Sequence, residues 1–107
     1  MLHELRIYEA IPGQMPALHK RFREITGAFF TKHDIKIVAY WDAVIGTTNM
    51  LYYLVEWQSL AEREQKWGAF MADPEWSAAR AKTEANGPLV AKVTNMILRP
   101  TDYSPLK

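Results

Sequence analysis

The feature that most constrains this chain is apolarity at both parities of its strand-like segments. Four such segments, near 3–10, 36–45, 48–57 and 89–99, carry large apolar side chains at odd and even positions alike. Successive side chains of a strand point to opposite faces of a sheet. A sheet with one face on helices and the other in water reads instead as apolar residues alternating with polar ones. Here Ile37, Ala39, Trp41 and Ala43 oppose Val38, Tyr40 and Val44, while Leu51, Tyr53, Val55 and Trp57 oppose Met50, Tyr52 and Leu54. Whichever set meets the helices, the other is mostly apolar. Exposing about half a dozen such side chains forfeits roughly 1.5–3 kcal/mol each, on the order of 10 kcal/mol in all. That is comparable with the whole stability of a small domain. A second copy of the chain, laid sheet to sheet about a two-fold axis, recovers it. The expectation is a homodimer through sheet faces.

Two helical regions separate the strands. Met15, Leu18, Phe22, Ile25 and Phe29 recur at spacings of three and four, an apolar stripe on one helix face. Lys20, Arg21, Arg23 and Glu24 then fall on the opposite, solvated face. The helix is expected to end by about His33-Asp34. Gly46-Thr47-Thr48-Asn49 is a turn signal that joins the middle two strands in a hairpin. Ser59-Leu60-Ala61-Glu62 reads as a capping box, with Glu62 reaching back to Ser59. The helix it starts runs to about Met71. Asp73-Pro74 starts another, and Asn86-Gly87-Pro88 stops it. The order is βαββαβ. It fits one α+β domain over residues 1–107: a ferredoxin-like sandwich with a four-stranded antiparallel sheet, helices on one face, and the first and third strands central. The pattern fixes no strand register, so neither parity is assigned to the helices.

Composition excludes more than it selects. Thirteen basic residues balance twelve acidic ones, a net charge of +1, which gives no electrostatic case for nucleic acid or an anionic membrane surface. With no cysteine there is no disulfide, thiolate nucleophile or cysteine-held metal. His3, His19 and His33 have no metal-ligand spacing, and no glycine-rich stretch cradles a phosphate. No metal and no cofactor are expected. A strand follows Met1 almost at once, which leaves no room for a secretory leader, and no apolar run is long enough to span a membrane. A cytoplasmic protein without membrane insertion is the expectation.

A polar minority inside aromatic surroundings supplies the candidate site. Arg6 and Tyr8 share one face of a central strand, Asn49 sits in the hairpin turn near Trp41, and His33 closes the first helix. Each has a structural account too: Arg6 paired to an acid, Tyr8 as core with its hydroxyl bonded, Asn49 as a turn former, His33 capping helix carbonyls. Asn95 lies on the last strand. Glu4, Glu9, Asp42 and Glu56 are strand carboxylates that no spacing rule joins as an acid–base pair. If Arg6, Tyr8, His33, Trp41 and Asn49 line a cleft between sheet and helices, they suit a small apolar or aromatic molecule.

The chain resembles the NIPSNAP family of the dimeric α/β-barrel superfamily. The resemblance spans nearly the full length. It rests on Glu4-Leu5-Arg6-Ile7-Tyr8, Pro12-Gly13, His33, Val38, Tyr40-Trp41, Gly46, Asn49, Ser59-Leu60-Ala61-Glu62-Arg63, Asp73-Pro74-Glu75-Trp76 and Ile97-Leu98-Arg99-Pro100. Ala39 stands where Gly is expected, and Leu54-Val55-Glu56-Trp57 lacks the usual aromatic pattern. The resemblance implies a ferredoxin-like protomer and a dimeric α/β barrel, with no agreed catalytic residues to carry over. The wider superfamily includes cofactor-independent and haem-degrading monooxygenases. The latter are similar in using an Asn, a Trp and a His, present here as Asn49, Trp41 and His33. In a cofactor-free oxygenase, Arg6 would hold an ionised phenol and Tyr8 would hydrogen-bond it. The competing readings are a ligand-holding dimer, such an oxygenase, a structural scaffold, and a partner-docking surface on exposed aromatics.

Overall fold

The structure, a computed structural model, describes residues 1–107. Strand β1 (Leu2–Ala10) leads into a long helical run that begins as α1 (Met15–Arg21), passes through a π-helical segment (Phe22–Thr26) and ends as α2 (Gly27–Lys32). Strands β2 (Lys36–Asp42) and β3 (Met50–Trp57) follow. Helices α3 (Leu60–Met71) and α4 (Pro74–Thr83) precede the last strand, β4 (Val90–Leu98). The sheet order is β2-β3-β1-β4 and every pairing is antiparallel. This is the ferredoxin-like arrangement, with β1 and β3 central.

The register assigns the faces that sequence left open. Arg6 pairs with Tyr53, and Tyr53 with Tyr40. Leu51, Tyr53, Val55 and Trp57 are all buried under the helices, whereas Met50, Tyr52 and Leu54 lie on the other side and are only half-buried. Opposed apolar parity is therefore real. The face away from the helices carries Leu5, Ile7, Trp41, Tyr52, Leu54, Met96 and Leu98.

Strand β2 stops sooner than its apolar run suggests. The last β2–β3 pair is Asp42 with Leu51, and Val44 and Ile45 stand 99% and 96% exposed in a loop. Asn49, at φ 62° in the left-handed region that Asn tolerates, swings the chain into β3, and its carbonyl accepts from Ala10 N at 2.8 Å. The loop is thereby held to β1, and the hairpin ladder cannot continue through Val44.

The local start signals hold. Ser59 Oγ accepts from Glu62 N at 3.1 Å. The Glu62 carboxylate reaches back one residue further than expected, to Gln58 N at 2.9 Å. Asp73 Oδ1 accepts from Glu75 N at 2.9 Å, with Pro74 in the first turn. No helix is long and apolar enough to cross a membrane.

The first helix differs from its sequence pattern in a specific way. Its buried line is Leu18, Phe22, Thr26 and Phe30, not Leu18, Phe22, Ile25 and Phe29. The π-helical turn carries one residue more than an α turn, so the face presented to the sheet slips by one position beyond Phe22. Gly27 closes that turn. Its N–H points to the Phe22 carbonyl, and a Cβ at this position would meet that same oxygen at 3.2 Å. Arg21, expected on the solvated face, lies three residues after buried Leu18 and is itself 5% exposed.

Candidate functional site

Alternation along β1 aims Glu4, Arg6 and Tyr8 at the helices, so a central strand delivers charge into the core. Glu4 is fully buried and saturated with donors. It accepts from Arg63 Nε at 2.7 Å and Nη2 at 3.1 Å, from Arg6 Nη1 and Asn95 Nδ2 at 2.9 Å each, and from Trp57 Nε1 at 3.0 Å. Burial works against its ionisation. The hydrogen bonds from Arg63, Asn95, Trp57 and Arg6 outweigh that and bring its pKa down to about 2.

Arg6 is equally committed. Beyond Glu4, its Nε donates to Tyr53 Oη at 2.9 Å and Nη2 to Tyr8 Oη at 3.4 Å, and its guanidinium lies 4.4 Å from the Trp67 ring centre. The Tyr8 and Tyr53 hydroxyls share a hydrogen bond of 2.9 Å. Burial pushes the Tyr53 phenol well above its usual range and the Tyr40 phenol up to about 12. All three Arg6 nitrogens are thus engaged inside the protein, by Glu4, Tyr53 and Tyr8.

Beside this network lies a cavity of about 280 Å³ between the sheet and the helices. Its apolar walls include Phe22, Phe30, Phe70 and Trp76, and its polar wall includes Arg6, Tyr8, Arg21, Thr26 and Arg80. Arg21 Nη1 donates to Thr83 Oγ1 at 3.2 Å and to Glu84 Oε2 at 3.4 Å. Arg21 Nε and Thr26 Oγ1 are buried without any partner. Such atoms are uncommon, because an unmet buried hydrogen bond carries a desolvation penalty.

Of the five residues singled out from sequence, Arg6 and Tyr8 meet at the cavity, and the other three lie elsewhere. His33 closes α2, but its Nε2 sits 2.7 Å from Asp73 Oδ2 and does not cap helix carbonyls. Lys32 Nζ reaches the same oxygen at 2.8 Å. Lys32, then His33, hold the Asp73 carboxyl well below the usual carboxylate range. Trp41 pairs with Tyr52 on the sheet face away from the helices, and Asn49 is in the turn. Asn49, Trp41 and His33 therefore do not converge, and no haem-type trio is assembled. Sequence reasoning missed Glu4 as a hub, and Arg21, Thr26, Phe70, Trp76 and Arg80 as cavity walls. The one signal available was a polar residue, Thr26, at four-residue spacing between Phe22 and Phe30.

A family model for NIPSNAP matches residues 3–105. No curated protein matches the chain. Among solved structures, the chain is similar to a NIPSNAP family protein from Agrobacterium tumefaciens, with 28% identity, a TM-score of 0.88, and 99% of this chain and 98% of that one covered. It is also similar to an uncharacterized NIPSNAP-like domain protein from Burkholderia xenovorans, with 26% identity, a TM-score of 0.86, and coverage of 97% and 88%. A proposed antibiotic biosynthesis monooxygenase from Deinococcus radiodurans shares the fold alone, with 12% identity, a TM-score of 0.60, and coverage of 100% and 99%.

Proposed function

The chain belongs to the NIPSNAP family, and on that premise we propose that it works as a homodimer whose sheet–helix cavity holds a small apolar or aromatic molecule. The observation that carries the reading is the cavity of about 280 Å³ walled by Phe22, Phe30, Phe70 and Trp76 and edged by a few polar groups. Concave, mostly apolar spaces with sparse polar groups are the usual form of small-molecule sites. Pairing is supported by the open sheet face, where Trp41, Met96 and Leu98 stand 49%, 41% and 43% exposed around half-buried Leu5, Ile7, Tyr52 and Leu54. Two such faces stack at the ordinary spacing of about 10 Å between sheets and leave the helix-side cavity free.

Two measurements test the reading. Sedimentation equilibrium at micromolar concentration is expected to give twice the chain mass. Met96→Glu, placed on a side chain already exposed in the single chain, is expected to return the particle to one chain mass with its helical content intact. A single-chain mass for the unaltered protein removes the dimer. For the cavity, calorimetric titration with 2-naphthamide, a neutral planar aromatic, is expected to show saturable binding that Val93→Trp, which fills the cavity wall, abolishes. If neither this amide nor the corresponding acid binds saturably, the ligand-holding reading fails.

A further inference from the structure

We propose that the cavity selects an anion: a planar apolar body bearing one carboxylate, seated with the carboxylate at the corner made by Arg21 and Thr26. This rests on the ligand-holding reading above and adds the charge and the point of attachment.

The first observation is the sign of the wall. Arg6, Arg21, Arg80 and Lys92 line the cavity, and no aspartate or glutamate does. Arg6 has Glu4 as its counter-ion, shared with Arg63. Arg21 and Arg80 share one counter-ion, since Arg21 Nη1 and Arg80 Nε each lie 3.4 Å from the same Glu84 oxygen. Glu84 itself faces an adjoining outer depression with Trp76 and Arg80. Two guanidinium groups on one carboxylate leave a positive charge to spare at the inner corner.

The second observation is independent of charge. Arg21 and Thr26 both line the cavity, and Arg21 Nε and Thr26 Oγ1 are buried and unpartnered. Both residues are more than nine-tenths buried. A carboxylate has two oxygens, each able to accept from an N–H or O–H, so one group satisfies both donors. An alcohol or a neutral amide brings no charge and leaves the guanidinium uncompensated. Burial also weighs against the Arg21 charge and lowers its pKa, a penalty that a bound anion relieves.

The third observation is how the corner is built. Arg21 immediately precedes the π-helical segment and Thr26 is its last residue; the one-residue slip turns Thr26 inward, and Arg21 is buried as well. Single π turns inside helices recur at functional sites. Opposite this corner the cavity walls are aromatic: Phe70 and Trp76 stand 4.8 Å apart between ring centres, tilted by 31°. A flat ring is the shape that such walls accept at low entropic cost.

The experiment compares 2-naphthoate with 2-naphthamide by calorimetry at pH 7. They are matched in shape and differ in charge. The acid is expected to bind about tenfold or more tightly than the amide, the margin of a charge-assisted hydrogen bond over a neutral one. Arg21→Gln is expected to bring the acid down to the affinity of the amide while leaving the amide unchanged. Because Arg21 also anchors Thr83 and Glu84, Thr26→Val serves as the second variant: nearly isosteric, it is expected to weaken the acid several-fold and spare the amide. Equal binding of acid and amide by the unaltered protein overturns the anion proposal and leaves the ligand-holding reading standing. So does a loss in both variants that falls equally on the two probes. Failure of both probes to bind overturns both.

Discussion

Two polar clusters sit within the helix–sheet interface, and they are built on opposite terms. Around Glu4 every oxygen is answered: Arg6, Trp57, Arg63 and Asn95 converge on one carboxylate from β1, β3, α3 and β4. Around Arg21 and Thr26 two donors are left over. A buried network with all its members satisfied rigidifies a core, whereas one with donors to spare forfeits stability unless something arrives to accept them. The first cluster is thus built as architecture, and the second is the one proposed above to receive a ligand. The contrast also explains why Arg6, the most conspicuous cation on the central strand, belongs to the frame and not to the corner proposed to bind.

The contrast can be broken at its strongest point first. Glu4→Gln leaves Arg6 and Arg63 without their shared charge, and removing one partner of a buried ion network costs about 3–5 kcal/mol. Urea unfolding followed by circular dichroism is expected to show that loss. An unchanged midpoint would mean that the carboxylate contributes nothing to the frame.

Acid provides the next test. The folded pKa of Glu4, about 2, lies below its ordinary value of 4.5. A depressed folded pKa gives stability that is complete above the unfolded value and lost as pH falls through the folded one. The contribution of Glu4 should therefore be whole above pH 4.5 and disappear towards pH 2, about 3 kcal/mol in all. Asp73 and Glu56 are depressed as well and share the acid limb. Stability curves of the unaltered protein and of Glu4→Gln between pH 5 and pH 2.5 separate them: the variant is expected to have the shallower slope, and parallel curves would reject the assignment.

The smallest effect has the opposite sign. Thr26→Val deletes a buried hydroxyl that has no partner, so the ligand-free protein should gain up to about 1 kcal/mol and a higher Tm by calorimetry. A loss of stability would show that the hydroxyl is satisfied after all, and the two clusters would no longer differ in kind.

The legible part of this molecule was the local part. Ser59 and Asp73 start helices through atoms two or three residues away, so their roles could be read directly from the chain. Strand order followed from the sequence of elements and the limits on crossover connections. The NIPSNAP resemblance was legible as well, because it rests on many short motifs kept in order. The faces of β2 and β3 were not, because apolar residues at both parities make either assignment plausible until the register with β1 is known. Glu4 looked like one strand carboxylate among several, because its donors come from positions 6, 57, 63 and 95. Ile25 and Phe29 looked like core in place of Thr26 and Phe30 because the helical wheel assumes a constant pitch, and Arg21 looked solvated because its partners Thr83 and Glu84 are 62 and 63 residues away. His33 looked like a helix cap because its partner, Asp73, is forty residues away.

That altered pitch has a practical consequence for anyone grafting or aligning this helix. Its two ends keep different calendars: the days before Phe22 are counted from Leu18, and those after Gly27 from Phe30. Length across the junction is then the heritable quantity, ahead of residue identity. A relative with one position fewer between Phe22 and Phe30 would keep both on the sheet face through regular helical turns alone and would need no π-helical segment.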